Sequence, residues 1–99
     1  MSNKREWHNG TQPQGVSEII RWELDVTKWG SSPTSPSVTV LCNGADVSAA
    51  ILSGSPSVSG NIIYFTTHNV EVGRTYRVNT SFGIGFSTEE CYGFIVGEE

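Results

Sequence analysis

One stretch indicates the class of the fold, Val70-Glu71-Val72-Gly73-Arg74-Thr75-Tyr76-Arg77-Val78-Asn79-Thr80-Ser81-Phe82. After Gly73, apolar or small side chains alternate with polar ones, so that Tyr76, Val78, Thr80 and Phe82 share one face. Side chains on a β-strand point to opposite faces in turn, and a period of two is therefore typical of a half-buried strand. The stretch predicts a turn at Gly73 followed by a strand over 75–82.

Other stretches of the chain show the same alternation. We predict further strands over 16–26, 38–42, 61–68 and 87–96, with a short irregular one over 46–52. Runs rich in Gly, Ser and Pro separate them, and these predict turns at 28–36, 43–44 and 53–60 and a glycine-rich hairpin connection at 82–86. The residues expected to form the core are Trp22, Leu24, Val40, Tyr76 and Val78. Six or seven short strands with regular turns predict an all-β, two-sheet antiparallel sandwich.

Composition agrees with an all-β domain and excludes some functions. The 99 residues include 11 Gly, 4 Pro and one Met, which disfavours helices. The net charge is -4, and only six residues are Lys or Arg, too few for the basic patch that a nucleic-acid partner requires. The longest apolar run, Ile62–Phe65, is far too short for a membrane helix, and the first residues do not resemble a signal peptide. We expect synthesis in the cytoplasm and no membrane partner.

The first fifteen residues differ from the rest. Residues 1–15 are polar, show neither strand nor helix periodicity and end in Gln12-Pro13-Gln14-Gly15. They are predicted to be a flexible arm, dispensable for the fold, on a domain that covers residues 16–99. Trp7 is expected to dock either on its own domain or on another chain, and Trp29 either caps the core edge or contributes to an interaction surface.

The sequence offers no arrangement for catalysis, a cofactor or a metal ion. His8 and His68 are far apart, and no nucleophile motif surrounds a Ser or Cys. Zinc ligands usually come in close pairs, whereas Cys42, His68 and Cys91 are single. We therefore predict a protein that is not an enzyme, with both cysteines free and buried.

The stretch Val70–Val78 resembles the penultimate strand of fibronectin type III and related immunoglobulin-like domains. Those domains have a tyrosine corner, in which a Tyr hydroxyl bonds to backbone upstream of it and fixes the turn between the sheets. The matching residue is Tyr76. The resemblance implies an immunoglobulin-like, fibronectin type III-like sandwich. Cys42 and Cys91 do not match the positions of the family's disulfide, so no bridge is implied.

A wider pattern is similar to small immunoglobulin-like proteins encoded among the virion genes of tailed bacteriophages. It runs over about residues 16–97 and includes Arg21–Gly30, Leu52–Asn61 and the closing Glu90-Cys91-Tyr92. The resemblance implies a non-enzymatic virion structural protein, a head, neck or tail accessory. Its expected partners are capsid, connector or tail subunits, or further copies of itself, bound through sheet edges, loops and the arm. The alternative is a module that binds carbohydrate or the host cell surface through Trp29 and Tyr64.

Overall fold

A computed structural model describes residues 4–6 and 10–99, with side chains from residue 10 onwards. Its described part contains nine strands and one short helix. The elements are β1 Lys4–Glu6, β2 Gln12–Gly15, β3 Ile20–Asp25, β4 Thr34–Cys42, β5 Ala45–Asp46, α1 Ser48–Ile51, β6 Ser57–Ser59, β7 Ile62–Thr67, β8 Thr75–Ile84 and β9 Ser87–Glu98.

The strands form two sheets that pack face to face. The large sheet has the order β1-β9-β8-β4-β5, and β2 also pairs with β9; the small sheet has the order β3-β7-β6. Both β1 and β2 run parallel to β9, whereas the other pairs are antiparallel. The all-β prediction with two packed sheets is therefore confirmed. No helix in the described part is long and apolar enough to cross a membrane.

The core between the sheets has two clusters of buried side chains. The first cluster contains Val40, Cys42, Ile51, Phe65, Val70, Tyr76, Val78 and Ile95. The second cluster contains Val26, Ile63, Phe82 and Cys91. Of the residues expected in the core, Val40, Tyr76 and Val78 are buried, while Trp22 and Leu24 are half-buried and pack against the first and second cluster respectively.

Residues 4–6 and 12–15 correct the prediction that residues 1–15 form a flexible arm. Lys4–Glu6 form β1, opposite Glu90–Tyr92 of β9, and Gln12–Gly15 form β2, opposite Ile95–Glu98. Pro13 is compatible with this position because proline is tolerated in strands at a sheet edge. The sequence signal failed because a four-residue edge strand with polar side chains has no hydrophobic alternation to detect.

A buried polar network holds β2 to the small sheet. The Gln14 side chain is only 1% exposed, and its Nε2 donates to the carbonyl oxygens of Thr67, at 2.9 Å, and Glu18, at 3.0 Å. The Thr67 hydroxyl donates to Gln14 Oε1 at 2.6 Å and accepts from Trp22 Nε1 at 2.7 Å. Because buried polar groups are costly without partners, this network makes β2 an integral part of the sandwich.

The turn before β8 contains the hydrogen bond expected of a tyrosine corner. The Glu71 amide donates to the Tyr76 hydroxyl at 3.0 Å, five residues upstream. The Gly73 amide donates to the Gly97 carbonyl at 3.0 Å, and Gly73 has a φ of 78° that favours glycine. Hydrogen bonds thus connect this turn both to β8 and to the end of β9.

Several element boundaries differ from the sequence predictions. The predicted irregular strand over 46–52 is mostly helix α1, and residues 57–59, expected in a turn, form β6. Residues 16–19 form a turn, so β3 begins only at Ile20, and β4 begins at Thr34 inside the predicted loop. The strand at Thr34 is irregular because the register to β8 shifts between Thr34 and Ser37.

Both cysteines are free and buried, as expected. They lie in different core clusters. Burial raises the pKa of the Cys91 thiol to about 11, and the neighbouring Thr80 side chain opposes this only in part. Such a thiol is poorly reactive at neutral pH, because the thiolate is the nucleophile.

Candidate interaction surfaces

Three connections meet at one end of the sandwich, which we call the loop end. It consists of residues 26–33 between β3 and β4, residues 60–61 between β6 and β7, and residues 85–86 between β8 and β9. Loops that cluster at the end of a rigid sandwich are a frequent site of recognition. The loop end is therefore the first candidate surface.

Contacts between the loops hold the loop end in place. The Ser32 amide donates to Asn61 Oδ1 at 3.0 Å, and the Val26 amide donates to the Asn61 carbonyl at 2.9 Å. Gly30 packs so closely on Ile84 that an added Cβ would lie 2.5 Å from its Cγ2 atom. The three connections are thus joined by contacts between residues far apart in sequence.

The first loop is also fixed locally. The hydroxyl and the amide of Thr27 both donate to Asp25 Oδ1, and these bonds lower the pKa of the Asp25 carboxyl. Ser32 has a φ of 55° and Ser35, at the start of β4, a φ of 47°. Residues other than glycine rarely adopt this left-handed conformation, and where they do it often accompanies function.

Phe86 lies at the tip of the loop end. Its relative exposure is 112%, the highest among the exposed large apolar side chains of the described residues. It occupies the two-residue turn between the paired Ile84 and Ser87, after Gly85, whose φ is 58°. Such turns need glycine or another residue that tolerates positive φ, but none of them needs an aromatic side chain. The fold therefore does not explain why residue 86 is Phe.

The outer face of the large sheet is the second candidate surface. Arg77 lies at its centre, with its guanidinium carbon 4.3 Å from the centroid of the Tyr92 ring and its Nε donating to Asn79 Oδ1 at 2.9 Å. Tyr92 also meets Phe94 edge to face at 5.9 Å between centroids. Next to this group is a shallow hollow of about 180 Å³.

The aromatic residues singled out from the sequence are placed differently. Trp29, itself part of the loop end, is half-buried and packs edge to face on Phe82 at 5.9 Å, so it closes the core at this end. Tyr64, on the outer face of the small sheet, has the Arg21 guanidinium carbon 4.0 Å from its ring centroid. The two rings lie on different surfaces and do not form one platform for a sugar. Trp7 lies outside the described residues.

The structure also shows where some of the residues considered as catalytic or metal-binding candidates lie. The His68 ring is 3.5 Å from the Asn69 side-chain amide, at the exposed end of β7. Among residues 10–99, no group of three His, Cys, Asp or Glu side chains could hold a metal ion. His8 lies outside the described residues.

Sequence reasoning missed Phe86 and the residues around the hollow. Gly85-Phe86 had a usable signal, because an aromatic residue in a hairpin turn contributes nothing to the turn itself. The hollow had no such signal, since Asn79, Ser81 and Tyr92 are simply the outward residues of their strands.

A comparison of the chain with family models, curated proteins and solved structures finds no match.

Proposed function

We propose that this chain is a non-enzymatic virion structural protein of a tailed bacteriophage, a head, neck or tail accessory with an immunoglobulin-like, fibronectin type III-like fold. The strand order supports the fold assignment, because a β3-β7-β6 sheet against a β9-β8-β4-β5 sheet follows the arrangement of immunoglobulin-like sandwiches. The Tyr76 hydroxyl bond to Glu71 supports it as well. The assignment to a virion rests on the sequence resemblance.

The exposed Phe86 is the observation that carries the proposed binding role. Burying a Phe side chain is worth about 1.5–3 kcal/mol, and hairpin β8–β9 holds this one away from its own core. A rigid aromatic anchor with few rotatable bonds loses little entropy on binding. The loop end therefore docks on an apolar depression of a neighbouring virion subunit.

The sheet edges support this role less well. The edge strand β3 carries the exposed charged residues Arg21, Glu23 and Asp25 on one face, and β5 and β6 contain only two and three residues. Charged and short edges are ways in which proteins avoid pairing with other strands. Residues 12–15 are already paired with β9 and serve the fold. We therefore place the main contact at the loop end rather than at an edge or the arm.

The experiment is to introduce Phe86→Ser into the phage that encodes the chain and to count copies per purified particle by quantitative mass spectrometry. We expect at least a tenfold loss of incorporation. Val72→Ser is the matched control, since Val72 is 56% exposed at the opposite end of the sandwich. Thermal unfolding of both purified variants should match the parent chain. Unchanged copy number for Phe86→Ser, or equal loss for both variants, contradicts the proposal.

A further inference from the structure

Asn43 and Gly44 form a tight turn that the proposed virion role does not use. Cys42 at the end of β4 pairs with Ala45 at the start of β5, so Asn43 and Gly44 are the two turn residues between them. Their φ values of 53° and 82° are those of a type I′ turn, for which Asn-Gly is a preferred dipeptide. The fold explains this pair of residues, and the same pair has a chemical reactivity of its own.

Both turn residues are open to solvent. Asn43 and Gly44 are exposed, and a Cβ added at Gly44 would meet nothing within 4 Å. Among the described residues, neither the Asn43 side chain nor the Gly44 amide has a hydrogen-bond partner. Strands β5 and β1 lie at opposite edges of the large sheet, with β4, β8 and β9 between them, so the turn is remote from the N-terminal strand.

An Asn side chain that precedes Gly is placed to react with the main chain. The Gly44 amide nitrogen attacks the side-chain carbonyl carbon of Asn43, a new C–N bond forms, and the bond to the side-chain nitrogen breaks. Ammonia leaves and takes with it the proton of the Gly44 amide. Water then opens the five-membered imide at either carbonyl, which yields aspartate or isoaspartate. Because glycine has no Cβ to shield the attacking nitrogen, Asn-Gly is the dipeptide most favourable to this reaction.

We propose that Asn43 is a site of spontaneous deamidation by this route, with isoaspartate among the products. The modification is independent of the proposed virion role. It adds one negative charge to a chain whose net charge is -4. Isoaspartate also lengthens the main chain by one carbon within a two-residue turn, so it disrupts the pairing of β4 with β5.

The native turn slows the reaction. In a type I′ turn the Gly44 nitrogen points away from the Asn43 side chain across the Cα–C bond, so the imide ring closes only after the turn opens. Opening disturbs little structure, because β5 contains only Ala45 and Asp46, both exposed. The reaction therefore proceeds from a locally opened hairpin rather than from the unfolded chain.

The chain beyond β5 is held separately from the turn. The Val40 amide donates to the Ser48 hydroxyl at 2.8 Å, and the Val47 amide donates to the Val40 carbonyl at 2.8 Å. These two bonds anchor the start of α1 to β4 without the turn. The hairpin tip thus opens while the sandwich keeps its packing.

Asn69 provides a matched comparison within the same chain. It is exposed and has a φ of 58°, close to that of Asn43. Its side-chain amide donates to the Ala50 carbonyl at 3.3 Å, and the next residue, Val70, is β-branched and only 3% exposed. Asn69 therefore shares the backbone conformation of Asn43 but is followed by a shielded nitrogen.

The test is to incubate the purified chain at pH 8 and 37 °C and to follow it by anion-exchange chromatography and peptide mass spectrometry. Conversion of amide to acid should accumulate at Asn43 at least tenfold faster than at Asn69. Enzymatic methylation specific for isoaspartate should label the peptide that contains residue 43. Peptide mapping separates this change from one at Asn9-Gly10, the other Asn-Gly pair of the sequence.

A variant and an unfolded sample complete the test. Asn43→Gln would have to close a larger ring, so it should remove both the conversion and the isoaspartate label at residue 43, while circular dichroism shows the same fold. In concentrated guanidinium chloride the rate at Asn43 should rise at least threefold, because the turn no longer holds the nitrogen away. Equal rates at Asn43 and Asn69, a product without isoaspartate, or equal rates in the folded and unfolded chains would overturn the proposal.

Discussion

At the scale of single residues, a few polar groups hold the sandwich in register. Tyr76 places an aromatic ring in the first cluster and its hydroxyl against the Glu71 amide. Tyr64, in contrast, lies on the outer face of the small sheet and has no hydrogen bond from its hydroxyl to any described residue. The two tyrosines therefore differ in what their hydroxyl groups contribute.

Tyr76→Phe should lower the free energy of unfolding by about 1–2 kcal/mol. The ring stays in the core, but the Glu71 amide loses its acceptor. Urea denaturation followed by tryptophan fluorescence measures the change, with Tyr64→Phe as the control that should shift stability by less than about 0.5 kcal/mol. Equal effects of the two substitutions would contradict the assigned role of the Tyr76 hydroxyl.

The buried Cys91 predicts a loss of stability in alkaline solution. Its thiol has a pKa of about 11 in the folded chain against 9.0 for the reference thiol. Above pH 9 the unfolded chain releases this proton while the folded chain keeps it, so the free energy of unfolding falls until about pH 11. The slope contributed by this group reaches about 1.4 kcal/mol per pH unit.

Urea denaturation between pH 8 and pH 10.5 measures this slope. Cys91→Ala should be less stable at pH 8 but should lose less stability as the pH rises. The comparison of slopes removes the contribution of other alkaline groups, since both chains share them. Parallel pH dependences would show that Cys91 does not titrate as described.

Among the secondary-structure elements, β2 shows that part of the N-terminal segment belongs to the fold. The strand covers the Ile95–Glu98 part of β9, and Gln14 extends from it to Thr67 in the other sheet. A strand of four residues is thus held by main-chain pairing on one side and a buried side-chain network on the other. The segment expected to be a dispensable arm closes one edge of the sandwich.

Two truncations should separate the roles of the N-terminal residues. Removal of residues 1–15 takes away β2 and leaves the buried Thr67 groups without Gln14, so it should lower the midpoint of thermal unfolding by at least about 10 °C or prevent folding. Removal of residues 1–11 takes away β1 but keeps β2 and its buried network, and should cost much less. Circular dichroism on both chains measures the difference. Equal midpoints would show that β2 contributes nothing to stability.

A point substitution tests the same contact without shortening the chain. Gln14→Leu should cost about 2–4 kcal/mol, because the buried Thr67 hydroxyl loses its acceptor and the Thr67 carbonyl loses the Gln14 donor, although the hydroxyl still accepts from Trp22. Ser17→Ala, an exposed change in the following turn, should have little effect and serves as the control. A small effect of Gln14→Leu would mean that water replaces the lost bonds.

At the scale of the whole molecule, the two core clusters belong to one structural unit. β7 places Phe65 in the first cluster and Ile63 in the second, and β8 does the same with Val78 and Phe82. β9 contributes Ile95 to the first and Cys91 to the second. Because three strands from the two sheets run through both clusters, we expect neither cluster to unfold while the other keeps its packing.

The chain should therefore unfold in a single transition. Val78→Ala in the first cluster and Val26→Ala in the second should each cost about 1.5–3 kcal/mol and lower the same midpoint. Far-ultraviolet circular dichroism and tryptophan fluorescence should give coincident curves for both variants. Separate midpoints for the two probes would show that the clusters unfold independently.

How far the sequence predicts this structure depends on the length of each element. Strands β7, β8 and β9 follow from alternation because six or more residues repeat the pattern. The short elements β2, β5, β6 and α1 were missed, since two to four residues carry too little periodicity and their conformation depends on the strands beside them. The candidate surfaces were missed for a related reason, because outward residues such as Asn79 and Ser81 satisfy the pattern whatever they bind.

The sequence is sufficient to predict the all-β class, the long strands and the inward residues Val40, Tyr76 and Val78. These follow from the alternation of side chains along an extended chain, which is a local property of the backbone. Only in the folded chain do Gln14 and Thr67, 53 residues apart, form hydrogen bonds, the loops before β4 and β7 meet at one end, and a hollow form beside Tyr92. Each of these depends on which distant segments become neighbours, and that depends on how the two sheets share one core.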